Sequence, residues 1–157
     1  LRYDGGVPFS ALAGNLSTVV PVSRRFAVLP SLYGRVLIGR RIPYAYLNNM
    51  GGMVSGRYFA QQLPFVGIHR LEMFENAVLV GRMKFRYRLG KKNYLTAVVN
   101  YAKQKNNFFD ILSSGDDLWG GGISYSYNTL VGPVDLWLDL SNWDRKLGVY
   151  FNFGYYF

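Results

Sequence analysis

Residues 147–157 read LGVYFNFGYYF, and this stretch constrains the fold more than any other. Leu147, Val149, Phe151, Phe153, Tyr155 and Phe157 share one parity, while Gly148, Tyr150, Asn152, Gly154 and Tyr156 share the other. Side chains alternate faces along a strand, so one face is continuously apolar and the other small or polar. Soluble strands average about five or six residues, whereas a tilted strand that crosses a bilayer needs about nine to eleven. Alternation sustained from Leu147 to Phe157 therefore predicts a membrane-crossing strand.

The pattern repeats upstream. From Pro133 to Trp143, Val134, Leu136, Leu138 and Leu140 point one way and Asp135, Trp137, Asp139 and Ser141 the other. Two carboxylates on one face need water or partners, so this face is predicted to line a wet or salt-bridged lumen. From Trp119 to Tyr127, Trp119, Ile123, Tyr125 and Tyr127 oppose Gly120, Gly122, Ser124 and Ser126. The glycines predict curvature or close packing by a neighbouring element. The segment from Tyr94 to Lys103 sets Leu95, Ala97, Val99 and Tyr101 outward against a mixed face. Arg25 to Gly39, weakened at Pro30, and the less regular Phe9 to Val22 read as two further strands.

The segment from Ala77 to Leu89 places Arg82, Lys84, Arg86 and Arg88 on one face. A cation facing lipid near the midplane costs about 2–4 kcal/mol. These four are predicted to meet water, acidic partners or lipid phosphates near a rim. They could form an anion path or an anionic-lipid contact. They could instead pair with Asp135, Asp139 or Glu72 inside a plugged barrel, and the usual filling of small lumens by side chains favours that pairing.

Short connections at Ser23-Arg24, Gly90 to Asn93 and Thr129 to Gly132 alternate with long ones at Arg40 to Asn76 and Lys103 to Asp117; Asp144 to Lys146 is the exception. Outer-membrane barrels alternate short periplasmic turns with long external loops in this way. An inward-running last strand puts the C-terminus in the periplasm and both long connections outside. The reading yields seven strands, whereas single-chain bacterial barrels have even numbers. The expectation is a missing strand upstream, or one hidden in 40–76, and an all-β antiparallel segment of seven to eight strands forming the C-terminal part of a barrel of about 16.

Composition agrees. Half of the 157 residues are hydrophobic, yet no window nears the roughly 18 unbroken apolar residues of a membrane helix. Any crossing is by strands. Cysteine is absent, which removes disulfides and thiolate metal sites. His69 is the single histidine; it allows no histidine cluster or triad and is expected to be a loop residue. The net charge is +9, but the cations are spaced through strands, unlike a nucleic-acid-binding patch. No Gly-x-Ser-x-Gly elbow occurs. Asp4-Gly5-Gly6 reads as a turn. Asp116-Asp117 reads as a solvated loop tip, because calcium needs six or more oxygens. Glu72 and Glu75 read as partners of luminal arginines more than as a glycosidase pair. The segment is expected to carry no chemistry and no cofactor.

Asn49 to Phe65, NMGGMVSGRYFAQQLPF, precedes the charged strand, and the chain closes on GPVDLWLDL and VYFNFGYYF. From about Arg25 to Phe157 this resembles the C-terminal barrel half of the Omp85 superfamily. That superfamily includes BamA-like insertases, secretion partners, and barrels fused to patatin-like phospholipases. The resemblance implies a bacterial outer-membrane barrel that serves as membrane anchor or as translocation or insertion pore. Gly51-Gly52 followed by Arg57-Tyr58 is similar to the family's inward-folded loop motif, and by resemblance Arg57 reaches into the lumen toward acidic strand residues. The family order is Val-Arg-Gly-aromatic; here it is Val54-Ser55-Gly56-Arg57-Tyr58, and Val98-Val99-Asn100-Tyr101 lacks the family's acidic strand motif. GRYFAQQLPF is most similar to patatin-linked barrels of the Bacteroidetes type, whose lipase domain would lie upstream. Phe151, Phe153, Tyr155 and Phe157 resemble the terminal signal read by the barrel assembly machinery. The implied partners are that machinery, outer-membrane lipid and lipopolysaccharide, with no nucleic acid. A free-standing eight-stranded barrel acting as adhesin or lipid-binding protein, and a soluble all-β binding protein, are the alternatives.

Overall fold

A computed structural model describes residues 8–40, 42–52, 61–70, 72–111 and 117–154. The strands are β1 (Ser10–Ser17), β2 (Val20–Pro21), β3 (Phe26–Ile38), β4 (Asn48–Met50), β5 (Gln62–Leu63), β6 (Glu72–Phe74), β7 (Ala77–Arg88), β8 (Asn93–Lys105), β9 (Asp117–Thr129), β10 (Gly132–Ser141) and β11 (Gly148–Phe153). The main sheet runs β1-β3-β7-β8-β9-β10-β11, with β2 also on β3. Each of its long strands pairs antiparallel with its neighbour. The sheet is open, with edges at β1 and β11. β4, β5 and β6 form a separate small sheet in the order β5-β4-β6.

β1 and β2 hold one register on β3, with Ser17 opposite Ser31 and Val20 opposite Val28. The break between them faces Leu29 and Pro30. Proline has no N–H to donate to a ladder; β3 itself runs unbroken through Pro30, and the interruption falls on its partner, between β1 and β2. The hidden strand considered for 40–76 does not join the main sheet: β4–β6 pair only among themselves.

The register fixes two faces. Leu32, Met83, Val99, Ile123, Leu138 and Phe151 lie on one, and all are exposed. Between Tyr101 and Trp119 at one end and Tyr87, Tyr125 and Tyr127 at the other, this face shows no charged side chain among the described residues. The eight steps from Trp119 to Tyr127 span about 26 Å at about 3.3 Å each. That is comparable with the apolar band of outer-membrane barrels, about 25 Å tall and bounded by aromatic girdles. The opposite face carries Ser31, Tyr33, Arg82, Asn100, Ser124 and Asp139.

The connection from β3 to β7 folds back over this second face. Its residues Met50, Leu63, Phe65, Ile68 and Phe74 pack with Tyr33 of β3, Val78 and Val80 of β7, Ala102 of β8 and Leu118 of β9. Met50 and Phe65 are fully buried. Asn48 anchors the segment's start by donating to the carbonyls of Glu75 at 2.7 Å and Asn76 at 3.0 Å, while Arg35 donates to its side-chain oxygen at 3.0 Å. The inner face is thus dry and apolar near the long connections and polar toward the short turns. Within the long connection, Asn48–Met50 and Leu63–His69 fold inward, as the resemblance to the inward-folded loop implies, while Tyr44 and Tyr46 stay exposed.

Candidate functional site: the inward segment and its wall

Leu63 to His69, LPFVGIH, crosses the inner face from strand to strand. On β3, the Tyr33 hydroxyl donates to the Pro64 carbonyl. On β8, Asn100 reads the backbone of Val66 in both directions: its amide donates to the Val66 carbonyl at 3.0 Å, and its oxygen accepts from the Val66 N–H at 3.5 Å. The same amide donates to the Gly120 carbonyl at 3.1 Å, so wall and segment share one buried side chain. On β10, the Ser141 hydroxyl donates to the Gly67 carbonyl. Beyond it, His69 Nε2 lies 2.6 Å from Asp139 and Nδ1 lies 2.9 Å from Asp144, whose carboxylate also accepts from the His69 backbone N–H at 3.1 Å.

Two glycines make this approach possible. A Cβ on Gly120 would run into the Val66 carbonyl oxygen and would lie 2.9 Å from the Phe65 ring. Gly67 has φ +95°, and a Cβ there would lie 2.6 Å from the Leu140 carbonyl oxygen. Backbone against backbone leaves no room for a side chain on either side. The sequence expectation that the β9 glycines mark close packing by a neighbouring element is met, and that neighbour is the inward segment.

The cations of β7 run along the inner face of the sheet. Arg82 lies over the Tyr33 ring, 5.6 Å from its centroid, and donates through Nε to Asn100 at 3.2 Å. Asp139 is bound to His69, and Asp135 accepts from Asn152 at 3.3 Å. β8 and β9 lie between β7 and β10, which holds the two charge sets apart. The inner wall therefore has a cationic side formed by Arg35, Arg82, Lys84, Arg86 and Arg88 and an acidic side formed by Asp135 and Asp139. Arg82 and Lys84 sit in the middle of β7, away from any rim.

Phe151 and Phe153 stand on the outer face, well exposed, as alternation requires. Tyr155, Phe157, Arg57, Asp4 and Asp116 lie outside the described residues. Asp117 accepts from Tyr101 Oη at 2.6 Å and lies 3.8 Å from Lys103 Nζ. Glu75 contributes its backbone, its N–H donating to Gln104 at 3.4 Å and its carbonyl accepting from Asn48. His69, Asn100 and Ser141 escaped sequence reasoning as site residues. Their signal was parity alone: Asn100 and Ser141 fall on the inward phase of their strands.

No curated protein matches this chain. The sheet of long antiparallel strands, its outer face with an uncharged band among the described residues, and the segment folded onto its inner face agree with a family model that matches residues 6–157: the chain belongs to the OMP85 superfamily of outer-membrane β-barrel proteins.

Proposed function

We propose that this segment is the wall and plug of an outer-membrane translocation or insertion pore, and that it has no catalytic role of its own. The observation that carries this is the seating of Leu63–His69 on four wall elements through Tyr33, Asn100, Ser141 and the Asp139–His69–Asp144 bridge. A simple anchor has no need of side chains that read the backbone of an inner segment. Open sheet edges in hydrocarbon leave backbone groups unpaired. In this reading further strands close β1 and β11 into a larger barrel, the short turns face the periplasm, and the long connections face lipopolysaccharide. The barrel assembly machinery would read the β11 aromatics. The plug is opened by cargo or partner binding on the connection side.

The test is single-channel recording in planar bilayers. Asn100→Ala removes the donor to Val66 and Gly120 and the acceptor for Val66 N–H, and an unsatisfied buried polar group costs about 1–3 kcal/mol. Open events are expected to rise at least tenfold over the parent. Because the chain has no cysteine, Ile68→Cys gives a clean accessibility probe, protected in the parent and labelled rapidly when Asn100→Ala is added. Unchanged currents together with unchanged labelling would sink the plug reading. A patatin-like lipase upstream would make the same wall the anchor of an enzyme, on the resemblance of GRYFAQQLPF; a Gly-x-Ser-x-Gly elbow in the upstream gene sequence decides that reading.

A further inference from the structure

Charge is distributed unevenly along the strand axis. Three short turns lie side by side at one end: Val22–Arg25 before β3, Leu89–Lys92 between β7 and β8, and Leu130–Val131 between β9 and β10. They carry Arg24, Arg25, Lys91 and Lys92, and β7 ends beside them with Arg86 and Arg88; all six side chains are exposed. The turns are bonded into one surface. The Arg88 N–H donates to the Arg25 carbonyl at 2.7 Å, Arg88 Nη2 donates to the Arg24 carbonyl at 3.0 Å, and the Asn128 N–H donates to the Lys92 carbonyl at 2.9 Å. The three turns contain no carboxylate. The described acids Glu72, Glu75, Asp110, Asp117 and Asp144 lie toward the opposite end, while Asp135 and Asp139 face inward against Asn152 and His69.

Apolar tips alternate with these cations. Leu130 is 96% exposed and Val131 65%, with Val22 and Leu89 also exposed. They continue directly below Tyr87, Tyr125 and Tyr127, the aromatic border of the outer face. Cations interleaved with exposed aliphatic side chains at the edge of an apolar band match the chemistry of a bilayer interface: the aliphatic groups enter the acyl boundary and the cations meet phosphates. A solvated rim would explain the cations but not the bare Leu130 and Val131. We propose that this turn-end rim binds the phosphate headgroups of anionic phospholipids in the leaflet it borders. The inference rests on the membrane-barrel reading, and the periplasmic placement of the turns makes that leaflet the inner, phospholipid one.

The experiment inserts the full-length protein that contains this segment into nanodiscs of phosphatidylcholine alone or with one part in ten phosphatidylglycerol. Native mass spectrometry then counts the retained lipids. Phosphatidylglycerol is expected to be enriched on the parent. In the combined variant Arg24→Gln, Arg25→Gln, Lys91→Gln and Lys92→Gln, enrichment is expected to fall about tenfold or more, since each juxtamembrane cation adds to attraction for an anionic surface. The control Lys105→Gln with Lys146→Gln, at the other rim, leaves enrichment unchanged. Enrichment that survives the fourfold variant overturns the proposal, as does its loss to millimolar inorganic phosphate, which would mark a soluble-anion site. Failure of the full-length protein, with the strands that close β1 and β11, to enter the phosphatidylcholine discs at all would overturn the barrel reading, and the rim with it.

Discussion

At Asn100 a single amide side chain serves three neighbours, the β9 backbone, the inward segment and Arg82. Asparagine suits this because it offers donors and an acceptor on one planar group, matching the peptide it contacts. Gly120 and Gly67 supply the complementary property, absence of a side chain. His69 adds a polar clasp at the far end of the segment. A ring protonated on both nitrogens donates to both Asp139 and Asp144, whereas a neutral ring donates to one. Gly120→Ala follows from these contacts. The added methyl meets the Val66 carbonyl and must displace the segment or bend β9, at a cost of about 1–3 kcal/mol for overpacking. Urea unfolding in detergent, followed by heat-modifiable gel mobility, is expected to show a lower midpoint for this variant. An unchanged midpoint would mean that Val66 does not rest on β9.

At the scale of elements, the strands are single objects with two chemistries. β9 shows this within four residues: Ile123 is exposed on the outer face and Ser126 stands on the inner one. Ile123→Arg is expected to destabilise the barrel by about 2–4 kcal/mol, because the cation meets hydrocarbon near mid-height. Ser126→Arg, three residues on, is expected to be nearly neutral in the same unfolding assay. Equal effects would show that the face assignment is wrong. β1 and β2 illustrate a second point: one residue without an N–H, Pro30, divides a strand on the neighbouring chain segment while leaving its register intact.

Taken whole, the molecule is a curtain of long strands with a dry inner segment near one end, a polar wall below it and a cationic rim at the other. The wall is polarised, with Arg82 and Lys84 on β7 and Asp139 occupied by His69 on β10. An ion that passes a loosened plug meets more cation than free carboxylate. Currents through Asn100→Ala are therefore expected to favour chloride over potassium in a salt gradient. Adding Lys84→Gln and Arg86→Gln is expected to move the reversal potential toward zero. A cation preference in the first variant would contradict the arrangement of the wall.

The long strands and their faces can be read along the chain. Alternation has a period of two residues, so LGVYFNFGYYF, GPVDLWLDL and the Arg82–Arg88 run each declare a face without reference to anything distant. The sequence also marked the tight glycines of β9, the proline opposite the break between β1 and β2, and the family. Folding was needed to show which wall residues hold the long connection. LPFVGIH has no period, and its partners Tyr33, Asn100, Ser141, Asp139 and Asp144 come from strands and turns tens of residues apart. The β7 cations and Asp135 and Asp139 share a face by parity, but β8 and β9 stand between their strands, and Asp139 meets His69 of the inward segment. Parity is local and can be read along the chain, whereas adjacency across the sheet and across the lumen exists only after folding.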